Sequence, residues 1–219
     1  MIRAAVFDVG ETLIGDDRYW SDWADWLGVR RHTLSALVGA VVARGGHNQD
    51  ALPLVRPGID VAAEWRAREA AGLGEVIDES DLYPDVRGAL AALRSSGVWV
   101  GIAGNQSSGA GRCLRALDLP CDALAVSGDW GVEKPSPAFF ERLADWVPAE
   151  PGETVYVGDH PANDLLPARE AGFRTAHVRR GALGHFWAGT PSARADWNVD
   201  GLDDLASHLT GRPAGEERR

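Results

Sequence analysis

The chain has 219 residues, of which 45% are hydrophobic and 25% charged, as in ordinary globular proteins. Its 32 acidic and 22 basic side chains give a formal net charge of -10, which argues against nucleic acid and anionic membranes as partners, because both bind basic surfaces. Lys134 is the only lysine. No signal peptide is expected, and no apolar run approaches ~18 residues, so no membrane span is expected and a cytoplasmic location is predicted.

Short apolar runs alternate with segments of helical periodicity over most of the chain. Strands are predicted at 2–8, 98–103, 123–127, 154–158 and 175–178. Helices are predicted between them at 85–95, 107–117, 137–146 and 164–171. Strands of a parallel sheet are covered on both faces, and they therefore appear as continuous apolar runs. The pattern predicts an α/β fold with a doubly wound, Rossmann-like parallel sheet.

One long interval between the first two predicted strands contains no good strand. Helical spacing is found there at Trp20, Trp23 and Trp26, at 32–44 and at 60–71. We therefore expect a helical cap inserted after the first strand. The expected division of the chain is an α/β core at 1–14 and 81–210, a helical cap at 15–80 and a frayed polar tail at 211–219.

Ligands of open parallel sheets bind beyond the carboxyl ends of the strands, so the polar residues found there are candidate site residues. They are Asp8, Asn105, Lys134, Asp159 and Asp164. Close carboxylates repel one another unless a cation or a proton lies between them, which suggests Mg²⁺. A lysine among them would complement an anionic substrate. Taken one at a time, the same residues also fit turns, a helix N-cap or a solvated surface charge.

Five segments resemble the motifs of the haloacid dehalogenase superfamily. They are FDVGETL at 7–13, LYPDV at 82–86, IAGN at 102–105, GVEKPSP at 131–137 and GDHPAND at 158–164. The last two are the most specific, and the resemblance extends from about residue 2 to about residue 178. It implies a hydrolase with a helical cap, most often a phosphatase.

The resemblance also implies a nucleophile and a metal site. Asp8 would attack phosphorus and form an aspartyl-phosphate. Mg²⁺ would be held by Asp8, the backbone carbonyl of Gly10 and Asp159, where it would neutralise the repulsion between anions. Asp164 would support this metal shell from behind.

The implied substrate is a small phosphorylated molecule. Lys134 would pair with Asp8 and with the phosphoryl oxygens, and Gly104 and Asn105 would lie at the substrate phosphate, together with N–H groups at the start of the next helix. Trp20 and His160 are further candidates for a substrate or lid contact. Nothing in the sequence names the particular substrate or the oligomeric state.

Two positions depart from the family pattern. Phosphatases of the family carry, in place of Gly10, a second Asp that acts as general acid and base, and loss of such a group costs about 10²- to 10⁴-fold in rate. Gly104 replaces the usual Ser or Thr. Phosphonate hydrolases also lack the second Asp, but they need a cap lysine, and the only lysine of this chain lies in GVEKPSP.

Three interpretations remain open. The first is a phosphatase that acts on a good leaving group, such as an acyl phosphate, or that recruits Glu11 as acid and base. The second is a metal-independent 2-haloacid dehalogenase, in which halide leaves without a proton. The third is a catalytically weak or inactive protein with a binding or regulatory role.

Overall fold

A computed structural model describes residues 1–211 and divides the chain into two compact units. The core unit consists of Met1–Gly15 and the chain from Asp78 onward, and the helical unit is Asp16–Ile77. The tail predicted at 211–219 lies, apart from Gly211, outside the described residues. No helix within residues 1–211 is long and apolar enough to cross a membrane.

The core unit contains a six-stranded parallel sheet in the order β3-β2-β1-β4-β5-β6. Its strands are β1 (Ala4–Phe7), β2 (Trp99–Gly104), β3 (Ala123–Val126), β4 (Thr154–Gly158), β5 (Arg174–Val178) and β6 (Trp197–Val199). β1 lies between β2 and β4, and all four of its residues are buried. The predicted doubly wound α/β class is confirmed. β6 was not predicted, because three residues with an exposed Asn198 at their centre give no apolar run.

The helical unit is built from four helices and a short 3₁₀ turn at Asn48–Ala51. The helices are α1 (Asp17–Leu27), α2 (Arg31–Val42), α3 (Leu52–Val55) and α4 (Val61–Ala70). Trp20, Trp23, Leu34 and Leu52 form its apolar core. Trp20 is only 5% exposed, and its ring makes an edge contact with Tyr19 at 4.9 Å. Trp20 therefore packs within the helical unit, and its substrate or lid contact stays a prediction.

Seven helices follow in the part of the core unit that the structure describes. They are α5 (Val86–Ser95), α6 (Ser108–Ala116), α7 (Ser127–Trp130), α8 (Pro137–Trp146), α9 (Leu166–Glu170), α10 (Gly181–Trp187) and α11 (Leu202–Thr210). Short 3₁₀ turns lie at Glu79–Asp81, Pro151–Glu153 and Pro191–Ala193, and Pro161–Leu165 forms a π-helical turn before α9. The helix predicted at 164–171 therefore begins only at Leu166, because the π-helical turn occupies the first two residues of the predicted range. α8 packs on the sheet through Phe139, Phe140 and Leu143.

Candidate active site

Three buried carboxylates meet at the carboxyl edge of the sheet. Asp8 follows β1 and Asp159 follows β4, and these two strands are paired in register, with Phe7 opposite Val157. Asp164 lies in the π-helical turn after β4. One carboxylate oxygen from each of the three aspartates lies within 4.8 Å of the others. Strand pairing therefore brings together side chains that are about 150 residues apart in sequence.

Lys134 lies among these carboxylates. Its Nζ is 2.6 Å from Oδ1 of Asp8 and 2.6 Å from Oδ1 of Asp164, and its side chain is 3% exposed. Burial alone would lower the pKa of Lys134, but the charges of Asp164 and Asp8 raise this pKa well above its ordinary value. The lysine is therefore a fixed cation that contacts the predicted nucleophile directly.

The Asp8 carboxylate takes up a proton more easily than an ordinary aspartate does. Burial raises the pKa of Asp8 to about 6, although the neighbouring Lys134 lowers it. Three carboxylates against one lysine leave a formal charge of -2 in a buried space when all three are ionised. A hard divalent cation bound through oxygen ligands would neutralise this charge, so the donor set fits Mg²⁺.

The side chain of Asn105 holds the backbone of Lys134. Its amide nitrogen donates to the Lys134 carbonyl at 2.8 Å, and its Oδ1 accepts the Lys134 N–H at 2.8 Å. These two bonds tie the end of β2 to the loop that carries the lysine. The structure thus gives Asn105 a supporting contact with the Lys134 backbone, and its contact with the substrate phosphate stays a prediction.

Gly104 provides space for the Asp8 carboxylate. A Cβ atom added at Gly104 would lie 2.5 Å from Oδ1 of Asp8, closer than nonbonded atoms approach one another. The same oxygen binds Lys134. A serine or threonine at this position would therefore push Asp8 away from the lysine, which gives a physical reason for the departure from the family pattern.

His160 shapes the loop between the two aspartates that follow β4. Its Nδ1 accepts the N–H groups of Ala162 and Asn163 at 3.1 and 3.2 Å, and its own backbone N–H donates to Oδ2 of Asp164 at 2.9 Å. Burial and the charge of Lys134 lower the pKa of His160, which agrees with an unprotonated Nδ1. The structure thus gives this side chain a capping role.

Glu11 lies next to Gly10 and its carboxylate has a partner. The hydroxyl of Tyr83 donates to Oε2 of Glu11 at 2.5 Å. The backbone of Glu11 is left-handed, with φ of 51°, and its N–H donates to the carbonyl of Ile14 at 2.7 Å. Glu11 is therefore half-buried and bound within the core unit rather than free in solvent.

Two residues near the site were not found from the sequence. Arg180 donates to the carbonyl of Thr12, and its guanidinium lies 4.5 Å from the ring centroid of Tyr83. Arg180 follows β5, so its position at the same edge of the sheet was the available signal. Tyr83 lies in the LYPDV segment, which the sequence analysis identified without giving the tyrosine a role.

Comparison with known proteins shows the family to which this chain belongs. Residues 2–172 match the family described as haloacid dehalogenase-like hydrolase, and the chain belongs to that family of enzymes. It is 28% identical over 208 residues to a glyceraldehyde 3-phosphate phosphatase from Methanopyrus kandleri. This alignment covers 83% of this chain and 85% of that protein. It is also 32% identical over 132 residues to a phosphoserine phosphatase from Thermus thermophilus. This second alignment covers 57% of this chain and 49% of that protein.

The fold has relatives among solved structures. A dehalogenase crystallised with an intermediate complex matches 97% of this chain and 98% of its own, with a TM-score of 0.68 and 22% identity. This likeness concerns the fold. The chain is therefore a hydrolase of this family, and the curated relatives that it resembles in sequence are phosphatases.

Proposed function

We propose that the protein is a Mg²⁺-dependent phosphatase that hydrolyses a small phosphorylated metabolite through an aspartyl-phosphate on Asp8. The observation that carries this proposal is the buried cluster in which Lys134 binds Asp8 and Asp164 at 2.6 Å each, with Asp159 beside them. The names of the two phosphatase relatives support the choice of a phosphate ester or anhydride as substrate.

The metal would be held by the Asp8 carboxylate, the Asp159 carboxylate and the backbone carbonyl of Gly10. When bound, Mg²⁺ supplies positive charge that allows the anionic nucleophile and the phosphoryl group to approach each other. Asp164 supports this site indirectly, because it binds Lys134 and accepts the backbone N–H of His160. All four groups lie in the core unit.

The chain's own residues perform the first step. An ionised carboxylate oxygen of Asp8 forms a bond to phosphorus, while the bond from phosphorus to the leaving oxygen breaks and that oxygen takes the electron pair. Lys134 keeps Asp8 in place and offers its charge to the phosphoryl oxygens. Water then attacks the aspartyl-phosphate, which releases inorganic phosphate and regenerates Asp8. N–H groups around Gly104 and the start of α6 are proposed to bind the phosphate oxygens.

The leaving group is constrained by the loop after β1. Gly10 carries no acid, and the carboxylate of Glu11 accepts the Tyr83 hydroxyl. We therefore expect the best substrates to be those whose leaving group departs without a proton, such as acyl phosphates. Glu11→Gln tests the other route, because it removes the acid but keeps an acceptor for Tyr83; a loss of turnover in this variant would assign the acid role to Glu11.

The helical unit is proposed to act as the cap that selects the substrate. Its insertion point supports this role, since it follows the Asp8 turn directly in sequence. Nucleic acid is not expected as a substrate, because a protein with a net charge of -10 repels a polyanion.

The decisive experiment is a phosphate-release screen over acyl, aryl and alkyl phosphates, with Mg²⁺ and with EDTA. Asp8→Asn serves as the blank. We expect turnover that EDTA abolishes and that the blank lacks. Release of halide from 2-haloacids in the presence of EDTA would instead support the dehalogenase, and Mg²⁺ binding without any turnover would support a binding protein.

A further inference from the structure

A polar network lies beside the Asp8 turn, with Arg180 buried and its other members half-buried, and the proposed reaction gives Arg180 no part. We define the Arg180 network as Glu11, Tyr83, Asp85 and Arg180. Its members come from three separate stretches of the core unit: the turn after β1, the segment before α5 and the segment after β5. The network therefore joins parts of the chain that meet only in the folded protein.

Arg180 makes three contacts from a guanidinium that is almost fully buried. One nitrogen donates to the Thr12 carbonyl at 2.8 Å, and another is paired with the carboxylate of Asp85. The guanidinium also lies over the ring of Tyr83, 4.5 Å from its centroid. A planar group with donors in fixed directions holds such partners at set positions, which an ammonium group cannot do.

Tyr83 extends the network to the residue next to Gly10. Its hydroxyl binds Glu11 at 2.5 Å, and the left-handed backbone of Glu11 is a conformation that residues other than glycine rarely adopt. A Cβ atom at Gly181 would overlap the Glu11 carboxylate, so the segment after β5 presses closely on this side chain. The turn after β1 is thus held from two sides.

The same segment also touches the second proposed metal ligand. Nε2 of His177 lies 3.1 Å from the carbonyl oxygen of Asp159, and a Cβ atom at Gly184 would stand 3.4 Å from the Cβ of Asp159. Residues 177–184 therefore contact Asp159 on one side and the turn that follows Asp8 on the other. This stretch sets the spacing between the two loops that carry the metal-binding carboxylates.

We infer that Arg180 is a positioning residue for the metal site: it locks the turn after β1 so that Asp8 and the Gly10 carbonyl stand at the correct distance from Asp159. This inference rests on the proposed function for its metal, but it concerns Mg²⁺ binding and not only turnover. Residues that orient metal ligands from outside typically matter about 10- to 100-fold in affinity or activity.

The test compares Arg180→Met and Arg180→Lys with Arg179→Met as matched control. Arg179 is the neighbouring arginine, and it pairs with Asp200 on the surface. Mg²⁺ affinity is measured by calorimetry on the full chain, and Mn²⁺ binding is followed by electron paramagnetic resonance. We expect Arg180→Met to weaken metal binding about 10-fold or more, Arg180→Lys to recover only part of it, and Arg179→Met to bind like the wild type.

Two further variants keep the inference testable if Arg180→Met does not fold. Tyr83→Phe removes only the hydroxyl that binds Glu11 and keeps the ring under Arg180, and we expect it to weaken Mg²⁺ binding by a smaller factor. Wild-type Mg²⁺ affinity in a folded Arg180→Met would overturn the inference. If only Tyr83→Phe folds, wild-type Mg²⁺ affinity in that variant would overturn it. A wild-type protein that binds no Mg²⁺ would overturn it as well. Arg180-dependent Mg²⁺ binding without phosphate release would leave it standing and refute the phosphatase.

Discussion

Replacing Lys134 by methionine tests the electrostatics of the site most directly. Methionine keeps much of the length and apolar volume of the lysine stem and removes the cation that lies 2.6 Å from both Asp8 and Asp164. Breaking a buried ion pair by removing one partner costs about 3 to 5 kcal/mol, because the remaining charge stays buried without compensation. With a urea slope of about 2 kcal/mol per molar, the unfolding midpoint would fall by roughly 1.5 to 2.5 M.

The loss should depend on pH in a defined direction. In the wild type the pKa of Asp8 is already raised to about 6, and removal of Lys134 raises it further. Between the unfolded pKa of Asp, about 4, and this folded value the native state binds more protons than the unfolded state, so the variant's free energy of unfolding falls as pH rises. The deficit relative to the wild type therefore grows as pH rises through about 6, and it is larger at pH 8 than at pH 5.

The assay is urea unfolding in EDTA at pH 5 and pH 8, followed by tryptophan fluorescence. Arg179→Met is the control, since it removes an exposed arginine and should show no such pH dependence. Added Mg²⁺ should restore part of the lost stability of Lys134→Met at pH 8. A variant as stable as the wild type at pH 8, or equally destabilised at both pH values, would show that Lys134 does not neutralise these carboxylates.

Three further predictions concern the same site. Gly104→Ser should lower the rate of phosphate release at least about 10-fold, because its Cβ would lie 2.5 Å from Oδ1 of Asp8. A faster release would contradict this, since it would mean that the added hydroxyl helps to bind the substrate and that Asp8 has room to move. Asn105→Ala should lower the free energy of unfolding by about 1 to 3 kcal/mol, since it leaves the N–H and carbonyl of Lys134 without their partner, and an unchanged thermal midpoint would contradict that support role. Mg²⁺ affinity should fall about tenfold per pH unit below pH 6 and level off above it, because a proton on Asp8 competes with the metal; Asp8→Asn should lose this dependence in calorimetric titrations at pH 5 and 7.5.

The strands that are buried on both faces of the sheet could be predicted from the sequence. β1, β2 and β4 are continuous apolar runs because helices cover both sides of the sheet centre. β6 lies at the edge and has only three residues, so neither its length nor its composition separates it from a loop. α11 was not predicted either, since the strand that directly precedes it had not been predicted. α10 was also not predicted, although it follows the strand predicted at 175–178.

Part of the candidate site could also be predicted from the sequence, again because the ends of apolar strands can be recognised there. Asp8, Lys134 and Asp159 follow buried strands, and a strand end is visible as the point where an apolar run stops. The roles of Asn105, Tyr83 and Arg180 depend on which side chain meets which backbone group across 29 to 168 positions. No local pattern records such pairings, because they arise only when the loops pack together.

The position of β1 has a consequence for synthesis of the chain. β1 is made before both of its partners, which begin only at Trp99 and Thr154, after the whole helical unit. The contiguous segment 16–77 can complete its own local contacts as it leaves the ribosome, while the apolar residues of β1 still have both edges open. The nascent protein therefore carries an unpaired, aggregation-prone strand for some ninety residues of elongation, and a chaperone that binds short apolar segments would find a target in β1.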